Sequence, residues 1–207
     1  YPEDMFLRNY LFDVQSGVVE SYGYEEYDAS VLEPTELYEA KTGDEIVSEQ
    51  MYSFTDRGDR RVSLRPEMTP TAARMIAKRR QELALPIRWY STPNLFRYEN
   101  PQRGRLREHY QLNVDIFGIP TLDAELEMID IAREILLAFN ASDSDFVVKI
   151  NSRRVLEALY EHYQLSSESA YKLSKVLDKQ HKIGDEVFED AVAYILGGKA
   201  DEFIALI

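Results

Sequence analysis

Two alternating apolar runs, residues 87–98 and 108–117, flank one short polar, basic segment, Asn100-Pro101-Gln102-Arg103-Gly104-Arg105-Leu106-Arg107. Alternation with period two marks a strand with one face on a core, and a turn-rich insert between two such runs closes an antiparallel hairpin. A shorter copy of the pattern precedes it. Met51-Tyr52-Ser53-Phe54-Thr55 and Arg61-Val62-Ser63-Leu64-Arg65 are separated by Asp56-Arg57-Gly58-Asp59. Two hairpins without βαβ alternation exclude both a helical bundle and a doubly wound parallel sheet, and predict an α+β fold with helices flanking an antiparallel sheet.

The helices are read from apolar spacing. Phe6, Leu7, Tyr10, Leu11, Val14, Val18 and Val19 recur at helical intervals and Gly23 ends the run, which predicts a helix over residues 4–22. Residues 25–33 read as a strand leading to Pro34, and Thr35 to Lys41 as a short helix. Thr69 to Glu82 is expected to be helical, with Thr69 as N-cap and Pro70 in the first turn. Leu122 to Asn140 reads as a long amphipathic helix and residues 146–151 as an apolar strand. From residue 152 onward only short helices are predicted, so a domain boundary is placed near 152.

Charge narrows the function. The 207 residues carry 37 acidic and 24 basic side chains, a net of −13, which argues against a general nucleic-acid coat. Between Arg57 and Arg107, however, 13 basic residues meet four acidic ones, leaving that window at +9 and the remainder at −22. A basic quarter in an acidic chain is expected to face a specific anion. The absence of cysteine excludes disulfides, thiolate zinc sites and cysteine nucleophiles, and three histidines leave little for a histidine-ligated metal; no metal site is expected. No apolar run reaches the roughly 20 residues of a bilayer span, and no secretory leader opens the chain, so no membrane partner and a cytoplasmic location are expected. Neither common glycine-rich nucleotide loop is present.

Strand alternation puts Arg97 and Glu99 on one face of the first run, and Gln111, Asn113 and Asp115 on one face of the second. Burying such groups unpaired costs several kcal/mol. The face is therefore either solvated or the floor of a polar pocket. Arg103, Arg105 and Arg107, at alternate positions in the loop, suit a polyphosphate clamp or a solvated turn. In Leu64-Arg65-Pro66-Glu67-Met68-Thr69-Pro70, Glu67 is either a carboxylate favoured by the helix dipole or a receiver for a ligand ammonium group.

Taken in order, these stretches resemble the class II aminoacyl-tRNA synthetases and, among them, the histidyl-tRNA synthetase family. Glu33-Pro34 after a helix and strand resembles that family's motif 1, and Phe96-Arg97-Tyr98-Glu99 with the loop and His109-Tyr110-Gln111 resembles motif 2. Met51 to Asp56, Leu64 to Thr69 and Gln111 to Gly118 look like its histidine-specific segments, and Ile150-Asn151-Ser152-Arg153-Arg154 like the exit into its helical insertion. The resemblance implies a catalytic core over 1–152 and the start of the insertion over 153–207. It implies ATP and L-histidine as substrates, Mg²⁺ with the ATP, tRNA(His) as acceptor, and a homodimer with Pro34 at its interface.

It also implies roles. Arg97 is the catalytic residue, on the α-phosphate and the histidine carboxylate. Glu99 and His109 lie at adenine, and Arg105 at the outer phosphates. Glu67 and Thr69, with Gln111, receive the ammonium group, Met68 borders the pocket, and Asp115 accepts from the imidazole. Three positions depart from the family pattern: His109 stands where Phe is usual, Met68 where Gly is commoner, and Asp115 where many bacterial members have Glu. Motif 3 and an anticodon-binding domain do not occur before Ile207, so a fragment without pyrophosphate-exchange activity is expected. Two rivals remain: the synthetase-like regulatory subunit of ATP phosphoribosyltransferase, and an interaction module for an acidic partner. Lys172, Lys175, Lys179 and Lys182 read as a solvated helical face or an approach to tRNA.

Overall fold

The computed structural model describes residues 1–39, 50–100, 102–180 and 182–206. Its first unit, Tyr1–Val148, opens with α1 (Pro2–Ser21), β1 (Glu25–Glu26), β2 (Leu32–Pro34) and α2 (Thr35–Glu39). It continues with β3 (Ser53–Thr55), β4 (Arg61–Leu64), α3 (Thr69–Lys78), β5 (Ile87–Ser91) and β6 (Asn94–Phe96). β7 (Glu108–Tyr110), β8 (Asn113–Phe117) and α4 (Asp123–Ala138) complete it.

The long hairpin is the spine of this unit. Ile87 pairs with Phe117, Ser91 with Asn113, Asn94 with Tyr110 and Phe96 with Glu108. The register does not slip, although each run is divided in two. Pro93 supplies no N–H and interrupts the ladder, while its carbonyl still accepts from the Gln111 amide at 3.2 Å. Arg97 N–H donates to the Arg107 carbonyl at 2.9 Å, carrying the same register toward the loop. Pairing is antiparallel except for β1, which runs parallel to β5.

One face of the hairpin is dry. Tyr90 packs with Val19 of α1, Tyr24 and Ile131 of α4, and Leu112, Val114, Met128 and Ile135 close around them. Polar edges lock the helices onto this face: Tyr90 Oη donates to Glu20 at 2.6 Å, and Arg88 grips Glu127 through Nε and a terminal nitrogen at 2.7 and 2.8 Å. β2, β4 and β3 form a second, antiparallel sheet in that order, sewn by hydroxyl bonds of 2.8 Å among Thr35, Ser63 and Ser53.

The second unit, Lys149–Ile207, contains α5 (Arg153–His162), α6 (Ser167–Leu177), α7 (Asp185–Leu196) and α8 (Ala200–Ile204) around Tyr163, Leu173, Phe188, Val192 and Phe203. Ser166 caps α6 by accepting from the Ser169 amide at 3.2 Å.

Several expectations are corrected. The run 25–33 is not one strand but β1 and β2 with irregular backbone between them. The helix expected over 69–82 ends at Lys78. Thr69 is not its N-cap: Met68 holds that position without a side-chain cap, and the Thr69 hydroxyl turns elsewhere. Residues 146–151 form no strand, and Val147 and Ile150 are 81% and 73% exposed. An apolar strand needs a ladder partner, and none pairs with this segment among the described residues. The end of the short helix at 40–41 lies outside the described residues.

Candidate active site

The site is the other face of the same hairpin. Trp89, Leu95, Arg97, His109, Asn113 and Asp115 share it by alternation, and Tyr27, Met68 and Ala72 pack against Leu95 and Trp89. The turn before α3 is brought to this face by Arg65, which is 2% exposed. Its guanidinium donates to the Asn94 carbonyl and side chain, both at 3.0 Å, to the Ala29 carbonyl at 2.9 Å and to Asp28 at 2.8 Å. The backbone joins in, since Phe96 N–H donates to the Arg65 carbonyl at 3.0 Å. Pro66 follows, and its carbonyl accepts from Arg97 Nε at 3.0 Å. That bond fixes the orientation of Arg97. No other hydrogen bond to its guanidinium is made among the described residues, which leaves donors on its two terminal nitrogens.

At the base of the face sits Asp115. Thr69 Oγ1 lies 3.4 Å from its Oδ1 and Tyr27 Oη 3.4 Å from its Oδ2, and Asn113 Nδ2 also donates to Oδ2. Burial raises the pKa of Asp115, and these three donors oppose that shift. Burial pushes the Tyr27 phenol up to about 12, so it remains protonated and donates.

Toward the loop, His109 lies half-buried opposite Leu95. Its pKa is held below the usual value, first by burial and then by the charge of Arg97, against the opposing pull of Glu99. The ring is therefore neutral at pH 7. The loop folds back on itself. Arg105 pairs with Glu99, whose carboxyl it holds below the usual range. Arg107 stacks its guanidinium 3.9 Å from the Tyr98 ring centroid and reaches the Glu99 carbonyl at 3.3 Å. Gly104 takes φ +79° at the tip, where the Arg105 amide donates to the Gln102 carbonyl at 3.0 Å.

Of the residues singled out from sequence, Arg97, His109, Thr69 and Asp115 thus come to one face, with Glu99 near Arg97 and His109. Glu67 is half-buried on the turn, and Gln111 is exposed at the ladder interruption. Met68 is 1% exposed and packs with Tyr27, Ala72 and Leu95. Pro34 is exposed on β2. Lys172 pairs with Glu168 at 2.6 Å in the helical unit. Sequence reading assigned nothing to Arg65 or Tyr27. Arg65 stands in a quoted motif, but Tyr27 carries no local signal, since its partner lies 88 positions away.

The arrangement offers a fixed arginine, a neutral ring and a half-buried carboxylate in series along one ladder. A model of the histidyl-tRNA synthetase family matches residues 1–191. A histidine–tRNA ligase of Leptospira biflexa is 56% identical over 91% of this chain and 43% of its own length. One of Thermoplasma volcanium is 42% identical over 92% of the chain and 43% of its own length. The chain thus spans under half the length of these curated relatives. The crystal structure of histidyl-tRNA synthetase from Nostoc sp. PCC 7120 superposes with a TM-score of 0.82 at 25% identity, covering 97% of this chain and 44% of that one. With the family model matching most of its length and relatives of this identity, the chain belongs to the histidyl-tRNA synthetase family.

Proposed function

We propose that this chain carries the ATP and histidine sites of a histidine–tRNA ligase, which joins the two substrates as histidyl-adenylate for transfer to tRNA(His). The observation that carries the reading is the single polar hairpin face on which Arg97, His109, Thr69 and Asp115 converge. In activation, a histidine carboxylate oxygen attacks the α-phosphorus of ATP, the new P–O bond forms, and pyrophosphate leaves. No protein nucleophile is needed; positioning and charge stabilisation suffice. Arg97, with Nε tied to Pro66, turns its terminal nitrogens to the carboxylate and α-phosphate together. His109 offers a neutral ring to adenine, with Glu99 beside it. Arg105 meets the outer phosphates. Glu67, Thr69 and Gln111 take the ammonium group, and Asp115 accepts from the imidazole.

Mg²⁺ fits as a companion of the nucleotide. No cluster of three or more potential metal ligands exists among the described residues, and this ion is commonly carried on phosphates. When bound, it neutralises phosphate charge; no step here depends on protein ligands to it. A homodimer is supported by the uncovered apolar residues Phe6, Leu7, Tyr10 and Leu11 of α1 and by Pro34 on the outer strand of its sheet. Residues 1–152 are read as catalytic core and 153–207 as helical insertion. Among the described residues no helix is long and apolar enough to cross a membrane; a cytoplasmic location is part of the proposal.

Calorimetric titration of ATP into this chain tests the reading. Binding is expected, and Arg97→Ala should weaken it at least 30-fold with an unchanged circular-dichroism spectrum, an estimate for losing a charge-assisted phosphate contact. A wild-type chain that binds neither ATP nor histidine, or an alanine variant that binds ATP normally, would sink it. Retention of ATP affinity in the variant is also the result that the regulatory-subunit alternative predicts.

A further inference from the structure

The half-buried acid of the site has a neighbour with no assigned role. Tyr27 is fixed from several sides. Its amide donates to the Tyr90 carbonyl at 2.9 Å, extending the β1–β5 pairing, and its ring lies tilted against Trp89 at 5.3 Å. The rest of the ring is packed among Met68, Ala72 and Leu95. Its hydroxyl is thereby delivered to Asp115 Oδ2 at 3.4 Å, a long contact of the kind that closes when a ligand arrives.

We propose that Tyr27 is the positioning residue for Asp115, holding the carboxylate so that one acceptor direction faces the amino-acid side chain. The inference rests on the reading of Asp115 as an amino-acid contact.

The argument is one of acceptor capacity. A carboxylate has roughly four acceptor sites on its two oxygens. Thr69, Tyr27 and Asn113 come from the start of α3, the segment after β1 and β8 itself, and between them they occupy three. One remains. A single remaining acceptor matches one ring N–H of an imidazole and disfavours the two-pronged fork of a guanidinium. Because burial keeps the Tyr27 phenol protonated, it retains near neutrality the O–H that it offers to Asp115, while its oxygen can accept from Ser91 and Asn113. Tyr27 thus makes Asp115 a selective acceptor as well as an oriented one.

The groups facing Asp115 are Tyr27, Thr69 and Asn113, with Trp89 across the ladder. Removing the Tyr27 hydroxyl takes away a contribution that lowers the Asp115 pKa, so the carboxylate would protonate at a higher pH. The decisive experiment is calorimetry of L-histidine and of ATP against wild-type chain, Tyr27→Phe and Asp115→Asn, repeated from pH 5 to 8. Phenylalanine keeps the ring packing. The expected result is about ten-fold weaker histidine binding in Tyr27→Phe, the value of one hydrogen bond to a charged group, with ATP affinity unchanged. The acid-side loss of histidine affinity should move to higher pH. The ligand's own imidazole titrates alike in every protein and cancels in the comparison. If Asp115→Asn weakens histidine but Tyr27→Phe leaves affinity and acid limb in place, the Tyr27 inference is overturned and the site reading survives. An equal loss for both ligands in Tyr27→Phe would mark a merely structural role and also overturn it. If Asp115→Asn binds histidine as well as wild type, the reading of Asp115 fails and takes this inference with it.

Discussion

The two ends of the long hairpin differ in how much of their geometry stands ready before a ligand arrives. At the base, Asp115 is held by Tyr27, Thr69 and Asn113, and the turn beside it is nailed down by the buried Arg65. At the tip, Arg103, Arg105 and Arg107 are exposed, and the latter two contact Glu99 and Tyr98 within the loop. The Arg105 side of that ion pair is 54% exposed although its Glu99 partner is only 10% exposed, so solvent reaches the cation and a phosphate can compete for it. On the proposed reading, the base would recognise by fixed shape and donor count and the tip by exposed charge. The same ladder register supports both, and what separates them is burial.

The sharpest way to break this contrast is at Arg65. Arg65→Ala leaves the carbonyls of Asn94 and Ala29 without their buried donor and should cost about 3 kcal/mol, read from urea unfolding. If it costs less than about 1 kcal/mol, the base is not rigidly anchored and the comparison fails.

A milder probe is Glu127, which carries the Arg88 fork and the Tyr24 hydroxyl on the dry face. Arg88 holds the Glu127 carboxyl below its usual range, so its contribution is present above the unfolded pKa and is lost as pH falls through the folded one. Glu127→Gln should cost about 1–2 kcal/mol at pH 7, and the gap to wild type should close in acid. Asp115, whose pKa burial raises, runs the other way: its ionisation opposes folding as pH rises. A Glu127→Gln gap that persists unchanged at acid pH would contradict this assignment.

The smallest structural effect belongs to the tip. Arg105→Ala should leave the melting temperature unchanged and AMP affinity intact while weakening ATP about ten-fold. Equal losses for AMP and ATP would remove Arg105 from the outer phosphates and tie the tip to adenine instead.

Much of the scaffold was readable residue by residue. Val19, Tyr90, Val114 and Ile131 lie where helical and strand spacing put apolar groups, because a core selects for period more than for identity. The failures share a cause. The Thr69 hydroxyl was assigned to its own helix and went to Asp115, a tertiary partner 46 positions on. The segment around Val147 had the apolar run of a strand but, among the described residues, no ladder to join.

The chain by itself determined the hairpin, which residues share each of its faces, and the family resemblance, because alternation, turn chemistry and motif order are local or linear properties. Only the tertiary structure decided that Asp115 would be half-buried and which groups would hold it. Asp115, Tyr27 and Thr69 come from separate elements, and hydrogen bonds across such distances depend on how a parallel strand and a helix start are packed. That packing follows from excluding water across the whole unit, which no stretch of sequence encodes alone.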